Sequence, residues 1–370
     1  MACDQAVISS ARFKRAAGFE EAKKIRKNET EDLVGRFGVI SPNRITIHNY
    51  PVSHPITAFN ASVIYEERDE ILKLYARMIL GYYMYVSSII EVEVPLHDLF
   101  NGYVNMNSYV GRIVIYPSTR YDIWGTEDPR VYKVRGKLYM TYTGRSINYF
   151  SPIRVNRTVP VTAVYDEDLR NWIKRFVLMP SARVFGRIIT DKDAFLHEMG
   201  DGKLYFLHRP HLIDDTTRLM ISKLDPKILS MGGMKVEEIE LDNAVEVLDL
   251  MPFEGKLGWA TPLVNIGDKK LITLIHATDK EQLAYRVFAA QLSLSDDEVV
   301  LEAVTPRYIM EPATPYELIG DRPLTIFPCG AVKISKDEVV ISYGAADYMI
   351  GLGILSLNNL MAELDKGRIY

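Results

Sequence analysis

The segment DPRVYKVRGKLYMTYT, residues 128–143, has the pattern of a β-hairpin, with two apolar, β-rich runs on either side of a short charged turn. Four further segments repeat this pattern: NASVIYEERDEILKLYAR (60–77), DAFLHEMGDGKLYFLHR (193–209), TPLVNIGDKKLITLIHA (261–277) and CGAVKISKDEVVISYGA (329–345). Consecutive hairpins begin 68, 65, 68 and 68 residues apart. The chain is therefore predicted to consist of five repeats of one β-rich unit.

A regular all-β period of this length is typical of a β-propeller, in which each repeat forms a blade of four strands around a central axis. The sequence predicts an all-β fold, a five-bladed β-propeller catalytic domain over residues 41–370. A short, partly helical N-terminal extension is predicted over residues 1–40. Two packed β-sandwiches are the alternative, although sandwiches have no reason to repeat so evenly.

The segment FEEAKKIRKNETEDLVGRFG, residues 19–38, is rich in charges at helical spacing, and Pro42 follows its expected end at Gly38. We expect this part of the extension either to close the ring of blades or to form a subunit contact in a homo-oligomer. A solvated helix without a partner is the alternative.

Composition narrows the class of protein. Of 370 residues, 48% are hydrophobic and 25% charged, and the net charge of −4 implies no basic field for nucleic acid or an anionic membrane. The two cysteines, Cys3 and Cys329, cannot form a disulfide framework or a zinc cluster. The N-terminus has no apolar leader segment, and the longest apolar run, residues 78–90, is too short to span a bilayer. A cytoplasmic enzyme without nucleic-acid or membrane partners is expected.

Polar residues recur at the ends of the five hairpins. Both free ends of an antiparallel hairpin emerge on the same side of a sheet, so five equivalent hairpins direct ten ends to one face of the ring. These ends carry Asn60, Arg77, Glu127, Asp128, Arg145, Lys192, Asp193, Arg209, Lys256, His276 and Asp347. We expect them to converge on the axis and to form the functional site there.

Four of these residues, Lys192, Arg209, Lys256 and His276, are basic. Cations clustered in a closed pocket repel one another unless an anion occupies it, and phosphate is the obvious anion. No metal site is predicted, because the seven histidines show no HExxH or comparable ligand spacing.

Four motifs resemble the signature of glycoside hydrolase family 130, the β-mannoside phosphorylases and related mannosidases. They are GTEDPRVYKVRGKLYMTYT (125–143), KDAFLHEMGDGKLYFLHRP (192–210), KLGWATPLVNIGDKKLITLIH (256–276) and FPCGAVKISKDEVVISYGAADYMIGL (327–352). FNAS (59–62) and LYAR (74–77) match the first-blade pattern of the family more weakly. Together these segments cover all five predicted blades in order.

The resemblance implies a five-bladed propeller and the reversible, inverting phosphorolysis of a β-mannoside such as β-mannobiose. Inorganic phosphate is then the co-substrate, α-mannose 1-phosphate the product, and no cofactor is needed. The roles implied by matching positions are a catalytic acid at Asp128; mannosyl contacts at Asn60, Arg77 and Asp347; phosphate contacts at Lys192, Arg209, Lys256 and His276; and further substrate neighbours at Glu127, Arg130, Arg145 and Tyr343. In the family, the acid is implied to act through the 3-hydroxyl of mannose.

Two departures from the family pattern bear on the acceptor sugar. The chain reads KLGWATP where the family often has KIGxGxPP, which puts Trp259 and Thr261 beside the expected pocket. It reads FLHE where the family often has LFPE, which introduces His197.

One acid and a set of cations suit phosphorolysis, because phosphate arrives already anionic and needs no general base. A β-mannoside hydrolase on the same scaffold is the first alternative, and would replace the cations by a carboxylate base. A sugar-binding propeller without catalysis is the second. A five-bladed arabinan- or fructan-type hydrolase is the third, and would use three acids, for which Asp128, Asp193 and Asp347 are available.

Overall fold

A computed structural model describes residues 13–81, 85–231, 233, 235–267, 270–295 and 298–370. Strands make up 53% and helices 12%, so the fold is mostly β, as predicted. Cys3 and the first twelve residues of the predicted extension lie outside the described residues. No helix in the described ranges is both long and apolar enough to cross a membrane.

The strands of the described chain are, in order, β1 Lys14–Arg15, β2 Val34–Ile40, β3 Ile45–Ile47, β4 Thr57–Glu66, β5 Ile71–Ile79, β6 Ser87–Pro95, β7 Tyr109–Ile115, β8 Thr126–Val134, β9 Lys137–Arg145, β10 Thr158–Asp166, β11 Asn171–Pro180, β12 Ile188–Glu198, β13 Leu204–Leu212, β14 Leu219–Leu224, β15 Glu237–Leu241, β16 Val245–Leu248, β17 Glu254–Trp259, β18 Val264–Gly267, β19 Lys270–Asp279, β20 Tyr285–Leu294, β21 Val299–Val304, β22 Ile326–Lys333, β23 Glu338–Ala345 and β24 Met349–Ser356. The α-helices are α1 Phe19–Ile25, α2 Leu96–Phe100, α3 Ala182–Phe185, α4 Pro315–Leu318 and α5 Leu357–Lys366, and short 3-10 turns lie at Pro42–Arg44, Tyr103–Asn105 and Pro226–Ser230.

These strands form five sheet units. Unit 1 has the order β3-β7-β6-β5-β4, unit 4 the order β17-β19-β20-β21 with β18 also on β19, and unit 5 the order β2-β24-β23-β22. A ten-stranded sheet contains unit 2, β8-β9-β10-β11-β15, and unit 3, β12-β13-β14-β16-β1. A single parallel bridge between Thr158 and Thr190 joins units 2 and 3. Each predicted hairpin is one antiparallel pair within a unit.

The edge strands of neighbouring units contact one another. Strand β4 lies against β8 and β22, β8 against β12, β12 against β17, and β18 against β22. Apolar side chains fill the spaces between units: Val63 of unit 1 and Val340 of unit 5 share one buried cluster, while Ile272 of unit 4 and Ile341 of unit 5 share another. Each fully buried aliphatic side chain of this kind contributes roughly 1.5–3 kcal/mol to stability.

The N-terminal segment contributes strands as well as a helix. Strand β2 pairs antiparallel with β24, and β1 pairs in parallel with β16, so this segment supplies outer strands to units 5 and 3. Arg26, directly after α1, forms a buried two-pronged ion pair with Glu254 at the start of β17. The division of the chain into two domains at residue 40 stays a prediction.

Candidate active site

Three edge strands carry the same backbone irregularity. A β-bulge interrupts the pairing of β4 at Asn60, of β8 at Asp128 and of β12 at Asp193. All three residues have left-handed backbone, with φ of 49°, 48° and 54°. This conformation costs a non-glycine residue about 1–2 kcal/mol, and a bulge changes the direction of the side chain it carries. The bulges therefore give Asn60, Asp128 and Asp193 equivalent positions in units 1, 2 and 3.

A cavity of about 510 Å³ lies beside these bulges. Its walls are formed by Phe59, Asn60, Arg77, Ile79, Tyr85, Glu127, Asp128, Arg145, Tyr149, Phe150, Lys192, Arg209, Lys256, Tyr285, Asp321, Arg322, Thr325, Phe327 and Asp347. Nine of the twelve site residues expected from the sequence are in this set. Arg130, His276 and Tyr343 are not, and each is fully buried.

Asp128 lies at the floor of this cavity with 5% of its surface exposed. The side-chain amide of Asn60 donates to Asp128 Oδ1 at 2.8 Å, and Arg77 Nη1 donates to the same oxygen at 3.3 Å. Within the described ranges, no hydrogen bond reaches Oδ2. One oxygen of the carboxyl is therefore held by the protein, and the other is available to a substrate.

The neighbouring carboxylate, Glu127, is bound by two arginine side chains and a tyrosine hydroxyl. Arg145 Nε donates to Glu127 Oε1 at 2.7 Å, Arg77 Nη2 lies 3.3 Å from the same oxygen, and the Tyr149 hydroxyl donates to it at 2.8 Å. Burial alone would raise the pKa of Glu127, but Arg145 and Arg77 hold it well below its usual range. Glu127 is therefore a permanent anion that orients its neighbours and cannot supply a proton.

Asp193 is enclosed by two arginines and a histidine, and it does not line the cavity. Arg209 Nε donates to Asp193 Oδ2 at 2.6 Å, Arg130 Nη2 donates to Oδ1 at 3.3 Å, and His276 Nε2 lies 3.5 Å from Oδ2. Burial alone would raise the pKa of Asp193, but Arg209, with His276 and Arg130, holds it well below its usual range. An arabinan- or fructan-type hydrolase, which would use Asp128, Asp193 and Asp347, therefore lacks one acid that is accessible from the cavity.

Three of the four expected phosphate contacts, Lys192, Arg209 and Lys256, line the cavity from β12, β13 and β17. Burial lowers the pKa of Lys192, and Arg209 adds to the effect. Burial, followed by Arg209, Lys192 and Arg322, lowers the pKa of Lys256 to about 7. An anion in the cavity would offset both the burial and the repulsion among these cations, and would stabilise their charged forms.

The fourth expected contact, His276, lies behind the wall. Its ring centroid is 4.4 Å from that of Phe327, which does line the cavity. Burial lowers the pKa of His276 to about 4 in spite of Asp193, so the imidazole is neutral at neutral pH. In this position His276 supports Asp193 and Phe327 and does not add a positive charge to the cavity.

A family model described as beta-1,4-mannooligosaccharide phosphorylase, that of glycoside hydrolase family 130, matches residues 24–366. The chain belongs to glycoside hydrolase family 130. The resemblance seen in the four motifs is thereby confirmed.

Named relatives of this family-130 chain are phosphorylases. A beta-1,2-mannobiose phosphorylase of Thermoanaerobacter sp. (strain X514) is 28% identical over 235 residues, which cover 63% of this chain and 68% of the relative. A 1,2-beta-oligomannan phosphorylase of the same organism is 26% identical, covering 67% of this chain and 73% of the relative.

Two solved structures share the fold. That of the Listeria innocua beta-1,2-mannobiose phosphorylase bound to beta-1,2-mannobiose has a TM-score of 0.67 at 18% identity, covering 90% of this chain and 99% of that one. A Leishmania mexicana mannose phosphorylase in complex with a phosphate ion has a TM-score of 0.56 at 13% identity, covering 87% of this chain and 89% of that one.

Arg130, from the EDPR motif of the family, spans three units. Its guanidinium donates to the backbone oxygen of Asp128 at 2.8 Å and to Asp193 in unit 3. It also donates to the backbone oxygens of Trp259, at 3.1 Å, and Ala260, at 3.2 Å, at the end of β17 in unit 4. Arg130 therefore ties the acid-bearing strand of unit 2 to units 3 and 4, and it does not line the cavity.

The departures from the family pattern lie away from the cavity. Trp259 is fully buried and its indole N–H donates to the backbone oxygen of His208 at 3.1 Å. Thr261 is buried and accepts from the backbone of Leu274 at 3.2 Å. His197 is half-buried near the end of β12 and does not line the cavity. None of the three lines the cavity.

The remaining wall residues were not predicted from the hairpin ends. Tyr149 and Phe150 follow the end of β9, and Asp321 and Arg322 lie in the loop before β22. The only sequence signals for them are the adjacent aromatic pair and the loop composition GDRP at 320–323. Among the described residues, no group of three or more His, Cys, Asp and Glu side chains is arranged to hold a metal ion.

Proposed function

We propose that this member of family 130 catalyses the inverting phosphorolysis of a β-mannoside to α-mannose 1-phosphate and a shortened sugar. One observation carries the proposal. Lys192, Arg209 and Lys256 line the same cavity as Asp128. An acid that shares its cavity with a set of cations suits an anionic nucleophile, because no second carboxylate has to activate a water molecule.

In the reaction, a phosphate oxygen attacks the anomeric carbon from the face opposite the leaving group. The bond between that carbon and the glycosidic oxygen breaks, and the proton of Asp128 passes to the departing oxygen, either directly or through a mannose hydroxyl. Lys192, Arg209 and Lys256 hold the phosphate in line with this carbon and compensate its charge. In the reverse direction, Asp128 takes the proton back from the acceptor hydroxyl.

Asn60, Arg77 and Asp347 are proposed to hold the mannosyl residue that is transferred. Asp347 lines the cavity, and burial raises its pKa to about 6 in spite of Arg77. At neutral pH it is therefore mostly ionised and can accept hydrogen bonds from two sugar hydroxyls. Asn60 and Arg77 also contact Asp128, which links recognition of the sugar to the position of the acid.

The proposed substrate is β-1,2-linked mannobiose or a short β-1,2-oligomannan. The named relatives act on β-1,2-mannosides, whereas the family description refers to β-1,4-linked mannooligosaccharides. Both linkages therefore belong in the first assay.

For the fold, we propose that the five units are the blades of a propeller around this cavity. The cycle of contacts from β4 through β8, β12 and β17 to β18, β22 and back to β4 supports such a ring over a pair of sandwiches. The homo-oligomer stays a prediction.

The test is incubation of the protein with β-1,2-mannobiose, and in parallel with β-1,4-mannobiose, with and without inorganic phosphate. We expect phosphate-dependent release of mannose and stoichiometric α-mannose 1-phosphate. Equal release of mannose in both conditions, without the phosphate ester, would instead identify a hydrolase. Binding of the disaccharide without turnover in either direction would identify a sugar-binding protein.

A further inference from the structure

Arg322 lies on the rim of the active-site cavity, in the loop between α4 and β22. Its guanidinium carbon is 4.8 Å from the ring centroid of Tyr285, and Lys256 Nζ is also 4.8 Å from that centroid. The two cations share one aromatic ring of the cavity wall. Arg322 is close enough to contribute to the lowered pKa of Lys256.

The guanidinium of Arg322 forms no ion pair with a described carboxylate, although it is near enough to Asp347 to oppose the rise in the pKa of that carboxyl. Arg77, Arg145 and Arg209, the other arginines of the wall, each form an ion pair with Glu127, Asp128 or Asp193. Arg322 forms none with the residues that the structure describes, and its side chain is exposed. It is the arginine of this wall whose charge remains available to a ligand.

The backbone beneath Arg322 is held in place. The Arg322 N–H donates to the backbone oxygen of Ala346 at 3.0 Å. Two residues earlier, a Cβ on Gly320 would lie 2.6 Å from both Cβ and the backbone oxygen of Ala346, so only glycine allows the loop to approach this closely. The side chain is exposed, but the residue that carries it has a defined position over the cavity.

A buried network anchors the other end of this loop. Glu317 in α4 accepts from the Tyr343 hydroxyl at 2.7 Å, from Arg36 Nε at 3.0 Å and from the backbone of Ala313 at 2.8 Å. Tyr343, which the family resemblance implied as a substrate neighbour, therefore fixes the helical turn that precedes the loop.

The charges of the wall suit a single phosphate. Six arginine and lysine side chains and four carboxyl groups line the cavity, which leaves a surplus of two positive charges, or of three while Asp128 carries the proton that it donates. One phosphate dianion offsets most of that surplus, and a second anionic group on the sugar is not needed. The anion that Arg322 would meet is therefore the phosphate itself, or the phosphoryl group of α-mannose 1-phosphate.

We propose that Arg322 is a fourth phosphate-binding side chain, which joins Lys192, Arg209 and Lys256 from the mouth of the cavity. The inference rests on the proposed function. It adds a contact from an exposed loop, whereas His276 is buried and does not line the cavity.

The test compares Arg322→Gln, which removes the charge, with Arg322→Lys, which keeps it. Loss of one charge-assisted contact worth about 1.5–3 kcal/mol corresponds to a roughly 10- to 100-fold rise in the KM for phosphate. We expect this rise in Arg322→Gln, partial rescue in Arg322→Lys, and less than about twofold change in kcat and in the KM for the mannoside. Arg120→Gln, which removes an exposed arginine away from the cavity, is the control for net charge.

The reverse reaction gives a second readout: the KM for α-mannose 1-phosphate should rise, and that for the acceptor sugar should not. An unchanged KM for phosphate, or a rise in the KM for the mannoside alone, would overturn the role of Arg322 while leaving phosphorolysis intact. Absence of phosphate-dependent turnover in the wild type would instead overturn the proposed function. Thermal melting and isothermal titration with inorganic phosphate separate loss of binding from loss of folding.

Discussion

Asn60 and Asp128 occupy the same bulge position in neighbouring units, and the amide of Asn60 donates to Asp128 Oδ1 across 2.8 Å. The left-handed backbone of both residues turns their side chains toward each other and into the cavity. The same bulge position therefore carries an amide in unit 1 and an acid in unit 2. The two side chains form one hydrogen-bonded pair within the site.

Replacement of Asn60 separates backbone strain from the loss of this hydrogen bond. Asn60→Gly and Asn60→Ala both remove the amide, so both should lower kcat/KM for the mannoside by about tenfold or more. Asn60→Ala should be the less stable by roughly 1 kcal/mol, because alanine at a φ of 49° is strained and glycine is not. Urea denaturation measures the difference. Equal stability of the two variants would show that the bulge carries no strain.

Asp128→Asn should abolish most turnover and leave phosphate binding intact. Removal of a general acid costs about 10²- to 10⁴-fold in kcat, whereas Lys192, Arg209 and Lys256 keep their charges. Asp166→Asn, at the end of β10 and outside the cavity wall, is the matched control. Turnover by Asp128→Asn within a few-fold of the wild type would exclude Asp128 as the acid.

Lys256 should make phosphate use depend on pH. Its pKa is lowered to about 7, so the ammonium form that attracts phosphate predominates below this pH and is lost as the pH rises through it. In Lys256→Arg the charge persists at all these pH values. The wild-type kcat/KM for phosphate, divided by that of Lys256→Arg, should therefore fall between about pH 6 and pH 9. The ratio cancels the ionisation of phosphate itself, and a flat ratio would contradict the prediction.

Asp193→Asn should destabilise the fold, because it leaves Arg130 and Arg209 buried without their shared anion. Breaking a buried pair in this way costs about 3–5 kcal/mol in the free energy of unfolding. The pKa of Asp193 is depressed, so its stabilisation is present above the unfolded-state pKa of about 3.9 and is lost as the pH falls below it.

The difference in unfolding free energy between wild type and Asp193→Asn should accordingly shrink under acid conditions. Urea denaturation at neutral and acidic pH measures it. If Asp193→Asn were as stable as the wild type at neutral pH, Asp193 would not be a structural anion.

Strand pattern and turn composition were sufficient to predict the five hairpins, because each is a local antiparallel pair. The outer strands were harder to predict. Strands β1, β3 and β15 join their units by parallel pairing with distant segments, and β2 pairs with β24 at the far end of the chain. Such pairings depend on the packed structure and leave no signal in the local sequence.

Within the site, the shared position at the hairpin ends predicted Arg77, Arg145 and Arg209, since each long side chain reaches the cavity from its strand. His276 comes from the equivalent strand of unit 4, but its shorter imidazole ends at Asp193. Arg322 belongs to the loop before β22, outside the predicted hairpins. Its position depends on the contacts of Gly320 and Ala346, which only the folded chain reveals.

The guanidinium of Arg130 links the strand that carries Asp128 to the strands next to the cavity's cations. One of its nitrogens donates to the backbone oxygen of Asp128. Another donates to Asp193, which also pairs with Arg209, and to the backbone oxygen of Trp259, which follows Lys256 on β17. Under the proposed mechanism, the spacing between the acid and the phosphate site therefore depends on a buried residue that does not line the cavity. Loops at the rim can change to suit new sugars while the reacting atoms keep their spacing.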